Sequence, residues 1–192
     1  SSFYMNQISP RVIFIGDSGV GKTSLITRGT NDTFNELTSP TIGAGVTPIT
    51  MTVNGVEVNF QVWDTAGQEI YRSIVPLYFK YAKCAIVVFS FEDVKSFQSL
   101  NAWLDMLHSN TDHEVPVVIA GNKWDVEKKT VELAEAKTWA SARNYQLFFT
   151  SAKTGEQVNQ LFQFVAENFV AEAKKTATLN LVENKDKKKG CC

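Results

Sequence analysis

Three glycines, a lysine and a threonine fall within one octet, Gly16-Asp17-Ser18-Gly19-Val20-Gly21-Lys22-Thr23. Gly16, Gly19 and Gly21 free the backbone to curl so that successive N–H groups converge on one point, a nest for anionic oxygens. The stretch Ser18, Gly19, Val20, Gly21, Lys22, Thr23 and Ser24 holds the candidate phosphate contacts. Lys22 adds a mobile ammonium for β- and γ-phosphates, and Thr23 a hydroxyl able to ligate Mg²⁺. The flanks suit this chemistry. Arg11 to Ile15 is apolar and β-branched, a buried strand, and Ser24 to Arg28 can open a helix whose N-terminal dipole end adds positive charge.

Further polar clusters lie downstream. In Trp63-Asp64-Thr65-Ala66-Gly67-Gln68-Glu69, Asp64 can hold Mg²⁺ through water, Gly67 can offer an N–H to a γ-phosphate, and Gln68 can orient an attacking water. Without the glycine loop upstream, the same stretch is a surface turn with a helix cap. In Asn122-Lys123-Trp124-Asp125, the carboxylate of Asp125 can accept two hydrogen bonds side by side. Guanine presents an N1–H and an exocyclic amine in that geometry, whereas adenine would leave the carboxylate unpaired at a cost that rejects it. Asn122 can tie loops together and reach the base, and the Lys123 stem can lie along the base ring. Ser151-Ala152-Lys153 can turn the Ala152 N–H toward a guanine O6 acceptor, although the triplet alone carries almost no information.

These clusters need a scaffold that brings distant segments to one crevice. Apolar strand-like runs alternate with helix-like ones. Strands are predicted at 11–16, 44–53, 56–63, 85–89, 115–120 and 146–149, and helices at about 22–30, 70–80, 96–107, 131–143 and 156–173. Asn54-Gly55 is a strong type I′ hairpin signal, and Pro48 puts its strand at a sheet edge. The pattern predicts a mostly parallel α/β sheet covered on both faces, with one antiparallel edge strand. Loops at the carboxyl ends of its strands would share a crevice. The stripes Phe97, Leu100, Trp103, Leu104, Leu107 and Val158, Leu161, Phe162, Val165, Phe169 are read as core faces.

The 192 residues suffice for one well-buried domain, and 44% hydrophobic with 20% charged residues describes a globular chain. The net charge of −1 conceals an asymmetry: residues 174–192 hold six Lys against Glu183 and Asp186, which leaves an acidic body. That argues against nucleic acid as a partner and for an anionic surface, most simply a membrane. No apolar run is long enough for a transmembrane helix, and no secretory signal is evident. Cys84 is read as a buried small hydrophobe, while Cys191 and Cys192 end the chain. The chain divides into a domain at 1–173 and a disordered basic tail at 174–192.

The set GDSGVGKT, Thr41, WDTAGQE, NKWD and SAK, in this order and spacing, resembles a small GTPase of the Ras superfamily over residues 11–170. The resemblance implies a P-loop NTPase three-layer fold with a six-stranded sheet and five helices, Mg²⁺, and a cycle between GTP and GDP. By position it makes Thr41 a switch residue that joins Mg²⁺ and the γ-phosphate, places Phe34 on the guanine edge, and makes Thr23 a ligand of Mg²⁺. Lys22, Thr41 and Gln68 would then be catalytic.

Within the superfamily the chain is similar to the Rab branch, through Trp63, the run Ile70-Tyr71-Arg72-Ser73-Ile74 and the terminal Cys-Cys. That implies lipidation at Cys191 and Cys192 and a role in vesicle traffic. It also implies an exchange factor, an activating protein that supplies an arginine finger, effectors reading residues 35–48 and 64–81, a GDP dissociation inhibitor and a prenyl transferase escort. The place implied is the cytoplasmic face of intracellular membranes, cycling with cytosol. Val46 departs from the pattern where a large aromatic is usual, Tyr81 where Gly is usual, and Ser90 where Asp is common. The readings held against this are a Ras/Rho-like signalling GTPase, a nucleotide-binding scaffold with little turnover, and a P-loop ATPase or kinase, which would share residues 16–23 but not Asp125.

Overall fold

A computed structural model describes residues 9–35, 44–65 and 76–189. Six strands form one sheet: β1 (Arg11–Ile15), β2 (Ala44–Val53), β3 (Val56–Thr65), β4 (Ala82–Ser90), β5 (Val117–Asn122) and β6 (Gln146–Phe149). The order across the sheet is β2-β3-β1-β4-β5-β6, parallel throughout except for the antiparallel β2–β3 pair. Asn54 and Gly55 both take positive φ, 50° and 77°, as a type I′ turn requires, and Val53 pairs with Val56 across it. β2 is the edge strand, so Pro48 has an outer side on which its missing N–H costs no ladder bond.

The helices among the described residues are α1 (Lys22–Asn31), α2 (Pro76–Phe79), α3 (Val94–Gln98), α4 (Leu100–Ser109), α5 (Leu133–Ser141) and α6 (Val158–Lys189). Ser99 ends α3 and begins α4, so these two form one bent helix and the helical bodies number five. Both faces of the sheet are buried. Val12 and Phe14 of β1 point into a core shared with Leu25 and Ile26 of α1 and Leu161, Phe162 and Val165 of α6. Ile13 and Ile15 point into the opposite core with Phe97, Leu100, Trp103, Leu104 and Leu107. The central strands therefore read as continuous apolar runs rather than alternating ones. Cys84 is buried in the first core, and burial pushes its thiol up to about 12, which keeps it protonated and inert.

One expectation changes. Composition predicted a disordered tail from Lys174, whereas α6 continues as helix to Lys189. Residues 171–177 are all exposed, so that stretch gains no packing. Good helix formers such as Ala, Leu, Lys and Glu carry the backbone geometry in place of burial. No described helix is long and apolar enough to cross a membrane. Cys191 and Cys192 lie outside the described residues.

Candidate functional site

The glycine octet joins β1 to α1 as its spacing demands. Gly16, Gly19 and Gly21 take φ of 144°, 80° and 95°, all positive. At two of them space is also decisive: a Cβ on Gly16 would strike the Val88 carbonyl, and one on Gly21 the Asn122 amide. Lys22 is only 6% exposed, and its Nζ donates to the carbonyls of Gly16 at 2.8 Å and Asp17 at 2.9 Å. Burial pulls its ammonium down to about 8, against the opposing pull of Asp64 and Asp17. The fold thus holds a cation beneath a curl of backbone donors. Ser18 and Gly19 are exposed at the curl, Val20 is buried, and Thr23 and Ser24 are half-buried at the start of α1.

The Thr23 hydroxyl donates to Asp64 Oδ2 across the gap between α1 and β3. Asp64 sits one residue before the end of β3, in register with Phe14 of β1, and Thr65 beside it donates to the Phe14 carbonyl at 2.6 Å. A hydroxyl and a buried carboxylate therefore meet beside the glycine curl, a donor set that suits a hard divalent cation. Thr41, Gly67 and Gln68 lie outside the described residues.

On the other side, Asn122 is the last residue of β5 and is buried. Its Nδ2 donates to the Val20 carbonyl of the glycine octet at 2.8 Å, and its Oδ1 accepts from the Ala152 N–H at 3.3 Å. One side chain therefore spans the octet and the loop after β6. Asp125 is exposed, and its Oδ1 accepts from the Ser151 hydroxyl at 2.6 Å. Lys123 takes a left-handed φ of 57° and pairs with Glu92 at 2.5 Å. Trp124 anchors the turn, with ring centroids 4.9 Å from Phe91 and 5.1 Å from Phe149. Phe34 is half-buried against the first core, and Lys153 is exposed.

Two contributors escaped the sequence reading. Trp103, assigned only to the core stripe of α4, donates its indole N–H to Asp17 Oδ1 at 2.8 Å and so holds the octet. Arg28, near the end of α1, donates to the Ala152 carbonyl at 2.7 Å and the Lys153 carbonyl at 2.6 Å. Neither has a local signal, because each partner is far away in the chain.

Of the residues that depart from the Rab pattern, Val46 and Tyr81 flank one exposed aromatic patch and Ser90 is buried away from the surface. Val46 faces Trp63 in register and is 48% exposed. The Trp63 and Tyr78 rings lie 5.6 Å apart, and the Arg11 guanidinium covers Trp63 at 3.8 Å. Tyr81 is 61% exposed, 5.5 Å from the same guanidinium. Ser90 is buried, with its N–H bonded to the Ser96 hydroxyl at 2.9 Å.

A glycine-rich curl between β1 and α1, on a sheet of this order, defines a P-loop α/β protein. Comparison with known proteins narrows the class. The Ras family model matches residues 11–171. The GTP-binding protein ypt5 of Schizosaccharomyces pombe is 38% identical over 170 residues, covering 87% of this chain and 81% of the relative. Ras-related protein Rab5 of Nicotiana tabacum is 36% identical over 163 residues, 84% of this chain and 82% of the relative. GTP-binding protein YPT53 of Saccharomyces cerevisiae is 34% identical over 164 residues, 82% and 74% respectively. The chain belongs to the Ras family.

Proposed function

We propose that this chain is a Rab-like switch that binds and hydrolyses GTP and regulates vesicle traffic at membranes. The observation that carries the reading is the Asn122 bridge. It ties the phosphate curl at Val20 to the loop at Ala152, with the Asp125 carboxylate steered by Ser151 on the same side. This bridge supports reading the curl as a phosphate nest and the Asp125 side as a guanine acceptor that act together.

In this reading Lys22 and the N–H groups of residues 18–24 bind the phosphates, and Asp125 selects the base together with the Ala152 N–H, which exchanges its 3.3 Å bond to Asn122 Oδ1 for the base. Thr23 and Asp64 fit Mg²⁺, together with Thr41 by resemblance; when bound, the ion would screen charge on the phosphates. Gln68 orients the water, and Gly67 donates to the γ-phosphate. Catalysis is then positioning and electrostatic stabilisation, and an activating protein supplies the missing arginine. Exchange factor, effectors, a GDP dissociation inhibitor and a prenyl transferase escort complete the cycle. Residues up to 173 form the switch body, and 174–192 reach the membrane through lipidated Cys191 and Cys192.

Single-turnover hydrolysis of GTP tests the reading. The full chain with Mg²⁺ should convert GTP to GDP slowly. Gln68→Leu should slow it by about tenfold or more while GDP affinity stays within about twofold, since water positioning matters only toward the transition state. Equal rates for the two proteins would remove Gln68 from the mechanism.

A further inference from the structure

Arg28 is the most heavily committed surface-reaching side chain near the site, and the phosphate and base contacts above leave it without a role. Its side chain is only 16% exposed. Nε donates to the Ala152 carbonyl at 2.7 Å and Nη2 to the Lys153 carbonyl at 2.6 Å. Nη1 meets the Asp32 carbonyl at 3.0 Å and Asp32 Oδ1 at 3.2 Å. Asp32 caps α1 in a left-handed conformation, and its N–H returns to the Arg28 carbonyl. The guanidinium is therefore clamped on its own helix by one edge and grips two consecutive carbonyls of the loop after β6 by the other.

Gly155 N–H bonds to the Ser151 carbonyl at 2.8 Å and Thr154 N–H to the Ser151 hydroxyl at 3.0 Å, both within the loop. Asn122 holds the Ala152 N–H from within the site. Arg28 holds the far side of the same residue, so the peptide planes on either side of Ala152 are pinned from opposite directions. A planar fork with fixed donor spacing does this while also holding Asp32, whereas an ammonium has all its donors on one atom and cannot span both edges at once.

We infer that Arg28 is a positioning residue for base recognition, one that, by holding the Ala152 and Lys153 carbonyls, keeps the Ala152 N–H where it exchanges its 3.3 Å bond to Asn122 Oδ1 for the O6 carbonyl of a guanine base. It also joins the far end of α1, whose start carries the phosphate curl, to the base loop. This rests on the guanine reading of the site proposed above.

The test separates the O6 contact from every other contact. Dissociation constants are measured on the full chain with Mg²⁺ for GDP, for inosine diphosphate, which lacks the 2-amino group, and for 6-thioguanosine diphosphate, which keeps N1–H and the 2-amino group but has a poor sulfur acceptor in place of O6. ADP serves as the control for base selection. Arg28→Ala should weaken GDP and inosine diphosphate alike by about tenfold and leave 6-thioguanosine diphosphate within about twofold, so the preference for O6 collapses while the preference for the 2-amino group persists. Arg28→Lys should recover only a small part of the O6 preference.

An equal loss for all three nucleotides in both variants would make Arg28 a general support of α1 and overturn the inference. Unchanged constants would overturn it too. If Arg28→Ala does not fold, Arg28→Lys alone decides: full wild-type O6 preference overturns the proposal, and a selective loss supports it. A wild-type chain that binds ADP as tightly as GDP would instead sink the guanine reading itself.

Discussion

Lys22 carries a charge that the fold has taken out of water. Its ammonium is buried under the glycine curl and held down to about 8, whereas in an unfolded chain it stays near 10.5. Between those values the unfolded chain binds more protons than the folded one, so the Lys22 contribution to stability is lowest below pH 8 and rises with pH toward 10.5. The prediction concerns the nucleotide-free protein: the urea midpoint of wild type minus that of Lys22→Met should increase from pH 7 to pH 10. A flat difference would mean that Lys22 is not buried as an ammonium. At this scale the sequence was informative where chemistry is local. An octet of glycines and lysine carries its partners with it, as Lys22 on Gly16 and Asp17 shows. The tetrapeptide ending in Asp125 is legible as a motif, although Val20, Ser151 and Ala152, which it meets, are distant. Trp103 and Arg28 act across 86 and 124 residues of chain, and nothing in their neighbours' types signals the bonds to Asp17 or Ala152.

Between elements, α1 and α6 approach each other closely at Gly29. Gly29 lies in α1, and a Cβ there would fall inside contact distance of three ring carbons of Phe162. Phe162 is itself fully buried and stacked on Phe14 at 5.9 Å, so it cannot yield cheaply. Two effects oppose each other in Gly29→Ala. Helix propensity favours Ala by ~1 kcal/mol. Overpacking a closed interface costs ~1–3 kcal/mol. The steric term should win, and urea denaturation should show a net loss of ~1 kcal/mol or more; a stabilised Gly29→Ala would show that the two helices can part. The strands and most helices were legible because hydrophobic period and turn residues are local signals, as at Asn54-Gly55. The run of α6 to Lys189 was not. Low hydrophobicity from Lys174 onward marks a segment that buries little, which says whether it packs but not what its backbone does.

For the molecule as a whole, the described body is an α/β sheet, and a Lys-rich segment follows it with two thiols at its end. One lipid chain gives marginal, reversible attachment, and two give a durable one, to which each Lys near an anionic leaflet adds ~1 kcal/mol. Cys191→Ser with Cys192→Ser should leave GDP binding unchanged and move the protein from the membrane fraction to the soluble fraction of eukaryotic cells. Equal membrane recovery would refute lipidation at these residues. The account's centre, however, is the base. In the proposed reading the carboxylate of Asp125 accepts from guanine N1–H and its amine. An amide at that position would donate where the carboxylate accepted, which suits xanthine. The most direct measurement is displacement of labelled GDP by GDP, ADP and xanthosine diphosphate, from wild type and from Asp125→Asn. Wild type should release its label to GDP at far lower concentration than to ADP or xanthosine diphosphate, and Asp125→Asn should reverse the order of GDP and xanthosine diphosphate. Displacement of the wild-type label by ADP as readily as by GDP would contradict the account.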